Sequence, residues 1–303
     1  MNPAPRDLRD TLLAGVDGGQ TSTTAVLARG DGSVLARGSG PACDHLNVTG
    51  GRERNRVAIQ TALRDACAAA GVSPDQLDAV GLGLTSAQRE LNPAPAFREM
   101  VREIAPSATV WVDIDVVTNL AGASAGAPGI VVIAGGGSVA YGVDAGGGEA
   151  FSGGLGYLMG DEGSGWAIGL EALRAAARSA DGRGPETALL PMVLDTWKLA
   201  TIREVVRVIY REDFARHEVA ALSPSVLGIA ETGDAVAAGI VAGAATDLAN
   251  LALGVANQLH APGDSIDVFP TGGVFNAEEL ILAPFRREVI DRWPTARVRP
   301  ARF

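Results

Sequence analysis

The chain has 303 residues, and at about 100–200 residues per domain that length favours two domains. Apolar residues make up 47% and aromatics only 5%, which excludes wholesale disorder and implies cores built from Ala, Val, Leu and Ile. The net charge of −10 argues against a nucleic-acid-binding surface, which would be basic.

In chain order, Leu12 to Val16 is an apolar strand entering Asp17-Gly18-Gly19-Gln20-Thr21, and Ser22 to Ala28 is a second strand. Arg29 to Ser33 reads as a turn and Val34 to Arg37 as a return strand. Arg52 to Ala70 has helical spacing, with Val57, Ile59, Ala62, Leu63 and Ala66 on one side and Gly71 as its cap. Ala79 to Leu84 and Ala108 to Val112 are strands, and a helix starts at Val116.

The second half opens the same way. Ile130 to Ala134 is a strand, Gly135-Gly136-Gly137-Ser138 a turn, Val139 to Val143 a strand, and Glu149 to Phe151 a return strand. A strand, glycine turn, strand, strand pattern recurring in both halves reads as a duplication. Small residues from Gly153 to Gly165 form a loop, Trp166 to Ser179 a helix, and Thr187 to Tyr210 a mixed, mainly helical stretch. Gly233-Asp234 opens a long Ala-rich helix to Leu259. Asp247 and Asn250 interrupt it, so it reads as a buried helix and not a membrane span. Ile266 to Phe269 is a strand feeding Thr271-Gly272-Gly273-Val274-Phe275, and Glu278 to Asp291 closes the chain as a helix. Alternating strands and helices make the class α/β, with two βββαβα-type units.

Lys198 is the only lysine among the 25 basic residues. That excludes a Walker A loop and the strand lysine of protein kinases. A bound nucleotide must then be held by backbone amides, Mg2+ and arginine. Asp17 beside Gly18, Gly19, Thr21 and Ser22 offers a carboxylate for Mg2+ through water, with amides for phosphate oxygens. The turn Gly135 to Ser138 offers a second set of amides. Asp115, at the end of the strand Val110 to Asp115, is placed to deprotonate a substrate hydroxyl; Asp113 is its rival, and a helix N-cap is the plain alternative. Asp161 and Glu162, between Gly160 and Gly163 and ahead of a helix, could accept from sugar hydroxyls or complement the helix dipole. Gly272-Gly273 would let the backbone approach a flat ligand. Cys43 and Cys67 are the only cysteines, too few for a zinc finger and in keeping with a reducing compartment. His45, His217 and His260 lack metal-ligand spacing. Met1 to Asp7 holds no apolar signal core, so a cytoplasmic location is expected.

Taken together, Asp17-Gly18-Gly19-Gln20-Thr21, Asp115, Gly135 to Ser138, Met159-Gly160-Asp161-Glu162-Gly163-Ser164 and Gly272-Gly273-Val274-Phe275 resemble the N-acetylglucosamine kinases. These share a family with the ATPase activators of benzoyl-CoA reductase, within the actin-like sugar-kinase superfamily. The resemblance implies two ribonuclease-H-like domains, residues 1–118 and 119–303, with a nucleotide and sugar cleft between them. It implies ATP and Mg2+, a small-molecule sugar, neither nucleic acid nor membrane as partner, and a homodimer. Asp17 would be the Mg2+ carboxylate; Gly18, Gly19, Gln20 and Thr21 the first phosphate loop; Gly136, Gly137 and Ser138 the second. Gly233, Gly272, Gly273 and Phe275 would lie on the adenosine side. Asp115 would be the base, with Asp44, His45, Thr85, Ser86, Gly154 and Asp161 around the sugar. N-acetylglucosamine 6-phosphate is the expected product. Glucosamine, N-acetylmuramic acid or glucose as substrate, or an activator of an iron–sulfur reductase, are the alternatives. The family's Asn is Asp44 here, its Ser-Gly-Gly sugar loop is Thr85-Ser86-Ala87, and Leu155 stands where animal members have Trp. The family's Gly-Ala-rich final helix would lie beyond Phe303.

Overall fold

Alternation along Leu12–Gly18 buries Ala14, Val16 and Gly18 and leaves Gly15 and Asp17 open, so the segment runs as a strand with one inner face, β1. In the computed structural model, residues 8–19, 22–85, 87 and 93–301 are described. β1 pairs antiparallel with β2 (Thr23–Arg29), which pairs antiparallel with β3 (Val34–Gly40). A helix, α1 (Gly51–Ala70), leads to β4 (Ala79–Leu84), parallel to β1. Then α2 (Ala94–Arg102) leads to β5 (Thr109–Asp113), parallel to β4. The sheet order is β3-β2-β1-β4-β5.

α1 ends on Gly71, whose left-handed φ of 69° lets its amide reach Ala68 O. Ala58, Ile59, Ala62, Leu63 and Ala66 of α1 are buried with Leu27, Leu82, Leu84, Phe97 and Met100 in one core. Val57 departs from the expected inner side and is exposed. It lies two residues before Ile59, about 200° around the helix, and so points away from the Ile59–Leu63–Ala66 face.

α3 (Asp115–Ser124) carries the chain from one compact unit, Met1–Asn119, into a second, Leu120–Phe303. The second unit repeats the first. β6 (Gly129–Ala134), β7 (Ser138–Val143) and β8 (Glu149–Gly153) form an antiparallel meander. β9 (Ile266–Thr271) adds parallel to β6, and β10 (Ala296–Val298) parallel to β9. The order β10-β9-β6-β7-β8 has the connectivity of the first sheet, β6 answering to β1 and β9 to β4.

Between β8 and β9 lie α4 (Gly165–Ala180), α5 (Leu189–Trp197), α6 (Val205–Ile209), α7 (Arg216–Ala220), α8 (Ser223–Glu231) and α9 (Ala235–Leu259). The stretch Thr187 to Tyr210 is therefore two α-helices, the second led by a 3-10 turn at Ile202–Glu204. Lys198, at φ 55°, ends α5 in a left-handed turn. α9 is long and apolar enough to cross a membrane by length and composition. Its Val241, Ala245, Leu248, Ala252 and Val255 instead lie in the core with Ile130, Val132 and Val268. The closing helix begins with a π-helical turn, Glu278–Leu282, before α10 (Ala283–Arg292). α2 sets Phe97, Met100 and Val101 on one buried face at helical spacing, whereas α7, α8 and β10 are too short to carry a clear period in the sequence.

Candidate active site

The first unit carries Asp17, Asp113 and Asp115 at or just beyond the carboxyl ends of β1 and β5. Register sets Asp17 opposite Gly83 and Gly83 opposite Asp113, so Asp17 and Asp113 share one rung on the two strands that flank β4. Asp115 lies beyond that rung. It is the first residue of α3 and does not end β5, which stops at Asp113. Its Oδ1 accepts the Val116 amide at 2.8 Å and its Oδ2 accepts the Thr85 hydroxyl at 2.7 Å. Asp113 Oδ1 accepts the Ile114 amide at 2.9 Å.

Thr85 is itself placed by the sheet, its amide donating to Gly18 O at 3.1 Å. Asp17 keeps access to solvent, yet the surrounding protein displaces enough water to push its carboxyl above the ordinary range, and the Asp115 carboxylate pushes the same way. Two carboxylates that repel one another form a donor set that a divalent cation would relieve. Among the described residues no group of three or more His, Cys, Asp or Glu could hold a metal. Mg2+ commonly takes one or two carboxylates with waters and substrate phosphates, and Asp17 with Asp115 fits that demand.

The glycine turn after β1 is closed by the Gly19 amide on Ser22 O at 3.0 Å, while Gly19 O accepts the Cys43 amide at 2.9 Å. A Cβ on Gly18 would lie 2.8 Å from Cys43 Sγ, so glycine lets the 41–45 segment pack on the turn. Gln20, Thr21 and Ser86 lie outside the described residues.

Asp44 is locked in that segment. Its Oδ1 accepts the His45 amide at 2.7 Å, and its Oδ2 accepts Arg54 Nε at 2.9 Å and Nη2 at 2.7 Å. These bonds hold its carboxyl below the usual range, with the Arg54 side chain the larger cause. Asn55, fully buried on α1, clamps the Asp44 backbone, Nδ2 donating to Asp44 O at 2.6 Å and Oδ1 accepting the Asp44 amide at 3.3 Å. Sequence reasoning missed Asn55. The available signal was a polar residue one turn before Ile59 on the apolar face of a helix. His45 is exposed.

In the second unit the turn after β6 is closed by the Gly135 amide on Gly137 O at 2.9 Å. Gly135 O accepts the Gly165 amide at 2.8 Å, tying the turn to the start of α4. Within the described residues no hydrogen bond claims the amides of Gly136 and Gly137. Ser138 is different. Its amide donates to Asp161 Oδ1 at 3.1 Å and its hydroxyl to Glu162 O at 2.7 Å. Both of its donors thus serve the chain, and the open amides are those of the two glycines before it.

Asp161, 4% exposed, also accepts Arg216 Nη1 on Oδ2 at 2.9 Å. Each of its oxygens therefore accepts a bond from within the unit. Arg216 carries no local signal, since it lies 55 residues away from Asp161 in sequence. The Gly154 amide reaches Ser138 O at 3.2 Å.

Gly272, φ 99°, sits against the end of β6, where a Cβ would run into Ala134 O. This brings the Gly272-Gly273 backbone beside the strand that feeds the Gly135 turn. Phe275 turns inward and packs edge-on against Phe285 with centroids 5.0 Å apart, so its ring belongs to the core. Gly233, φ 93°, precedes Asp234, which caps α9 by accepting the Val236 amide at 3.0 Å and the Ala237 amide at 2.9 Å.

Two glycine turns, each at the end of the central strand of a repeated sheet, are the pattern that comparison with known proteins bears on. Residues 14–301 match the BadF/BadG/BcrA/BcrD ATPase family. An N-acetylmuramic acid/N-acetylglucosamine kinase of Clostridium acetobutylicum is 30% identical over 94% of this chain and 92% of its own. An N-acetyl-D-glucosamine kinase of Dictyostelium discoideum is 25% identical over 95% of this chain and 92% of its own. A solved Chromobacterium violaceum protein, described as a candidate N-acetylglucosamine kinase, is 30% identical with a TM-score of 0.75, over 92% of this chain and 93% of that one. The match from β1 to the last described residue, with the repeated sheets, shows that this chain belongs to the BadF/BadG/BcrA/BcrD ATPase family.

Proposed function

We propose that this protein is a sugar kinase that transfers the γ-phosphoryl group of ATP to an amino sugar, with N-acetylglucosamine as substrate and its 6-hydroxyl as acceptor. The observation that carries the reading is the Asp115 carboxylate, held by Thr85 at 2.7 Å beyond the ends of the parallel strands, next to the carboxyl of Asp17. Relatives named as kinases of N-acetylglucosamine support the substrate.

In this reading Asp115 accepts the proton of the sugar hydroxyl as that oxygen bonds to the γ-phosphorus. The bond from phosphorus to the bridging oxygen of ADP breaks on the opposite side. Such transfers depend on alignment and charge neutralisation. Asp17 would hold Mg2+ through water, and the bound ion would supply part of that neutralisation. The free amides of Gly136 and Gly137 suit phosphate oxygens, and the Gly272-Gly273 backbone suits the adenosine side. Thr85 and the Val116 amide keep the base in one rotamer. The activator reading finds no support in the thiols, since Cys43 and Cys67 are both buried.

A coupled ADP-release assay across N-acetylglucosamine, N-acetylmuramic acid, glucosamine and glucose tests the proposal. The highest kcat/KM is expected with N-acetylglucosamine. ATP hydrolysis that ignores every sugar would overturn the kinase reading, and a preference for another sugar would overturn the substrate. N-acetylmuramic acid is the second sugar to try, because the Clostridium relative is named for it as well.

A further inference from the structure

Asp161 adopts a left-handed backbone with φ 62°, a conformation that is costly for a non-glycine residue. Its carboxylate is also nearly sealed from water, the side chain being 6% exposed. Neither feature persists without compensation. Two partners supply it, the Ser138 amide on Oδ1 and Arg216 Nη1 on Oδ2. The carboxylate presses on the turn itself, since a Cβ on Gly137 would lie 2.7 Å from Asp161 Oδ1.

Arg216 is in turn held in place. Its guanidinium lies over the Tyr157 ring at 5.8 Å, and that ring stands edge-on to Trp166 at 5.1 Å. It projects from α7, which packs so closely on α4 that a side chain at Gly169 would meet Val219 O. A chain of contacts therefore runs from α7 through an ion pair, its carboxylate buried and its guanidinium half-exposed, to the glycine turn.

We infer that Arg216 is a positioning residue for nucleotide binding. By pinning Asp161 Oδ2, it keeps Oδ1 aimed at the Ser138 amide and so fixes the Gly135–Ser138 turn with the amides of Gly136 and Gly137 open to phosphate. The inference rests on the proposed function, because it takes that turn as a phosphate loop. The physical reason is asymmetric. With Arg216 half-exposed the intact pair is itself worth little, but removing the arginine leaves the buried Asp161 carboxylate without its ionic partner. Without Arg216 on Oδ2 the carboxylate turns toward water, and that rotation releases the Ser138 amide.

The test measures MgADP affinity by calorimetry and hydrogen exchange of the 135–138 backbone in ligand-free, full-chain protein. Arg216→Met should weaken MgADP at least tenfold and speed exchange in the turn. Asp161→Asn combined with Arg216→Met removes the stranded charge and keeps an acceptor for Ser138, so it should recover most of the affinity and the slow exchange. Asp161→Ala with Arg216→Met lacks the acceptor and should be as weak as Arg216→Met. The two double variants decide the matter even if the single variant does not fold, because neither buries an unpaired charge.

Arg216→Met with parental affinity and exchange would overturn the inference. Equal affinities in the two double variants would do the same. If the parent itself fails to bind MgADP, the proposed function falls, and exchange at 135–138 alone then decides whether Arg216 braces the turn.

Discussion

Thr85 donates its hydroxyl proton to Asp115 Oδ2 at 2.7 Å, joining the end of β4 to the start of α3. The Thr85 amide is bonded to Gly18 O, so one residue links the candidate base to the first glycine turn. Asp113, the alternative base, accepts the amide of Ile114, the next residue along the chain. The loss of turnover should therefore follow Asp115. Asp115→Asn should lower kcat by roughly 10²–10⁴ with sugar affinity retained. Thr85→Val should lower kcat by about tenfold, the loss of one hydrogen bond to a charged group, and Thr85→Ser should restore it. Steady-state kinetics of the three variants beside Asp113→Asn check this.

Asp17 should show opposite effects on activity and stability. Burial and the Asp115 carboxylate raise its carboxyl in the folded state. A raised folded value means that stability is fully present below the ordinary 3.8 and is lost as pH rises through the folded value. Asp17→Asn escapes that loss. Its Tm without ligand should match the parent near about pH 4 and exceed it near about pH 7, while the Mg2+ concentration for half-maximal activity rises. A variant less stable than the parent at neutral pH would contradict this account.

Gly272→Ala tests the close approach of β9 to β6. The residue needs φ near 99° and has Ala134 O where a Cβ would stand. The substitution should destabilise the second unit by about 2 kcal/mol or more, seen as a lower urea midpoint with an unchanged slope.

Asp234 joins two helix starts. Its carboxylate caps α9 and also accepts the Thr187 hydroxyl at 2.9 Å and the Ala188 amide at 2.8 Å at the head of α5. Burial alone would raise it, but the Ala237 and Ala188 amides, Thr187 and the Val236 amide prevail and hold it below 3.8. A depressed folded value gives stability that is present above 3.8 and lost as pH falls through the folded value. Asp234→Ala should cost about 1–2 kcal/mol at neutral pH, and the gap to the parent should close in acid. Chemical denaturation at several pH values reads both.

Residue types read along the chain suffice for the alternation of strands and helices, the repeated meander, the capping of α1 by Gly71 and the positions of both glycine turns. Each rests on neighbours in the chain, through period, turn chemistry or cap, which local residue types express directly. Composition also excludes a lysine-based phosphate site. The tertiary structure decided the rest. It set Asp115 on the first turn of α3 under Thr85, turned Phe275 into the core, exposed Val57 and committed both donors of Ser138 to Asp161 and Glu162. It also brought Arg216 to Asp161 across 55 residues and Asn55 to Asp44. Those partners are distant in the chain or lie across a helix face, and they meet only when the sheets and helices pack, so no local pattern of residues encodes them.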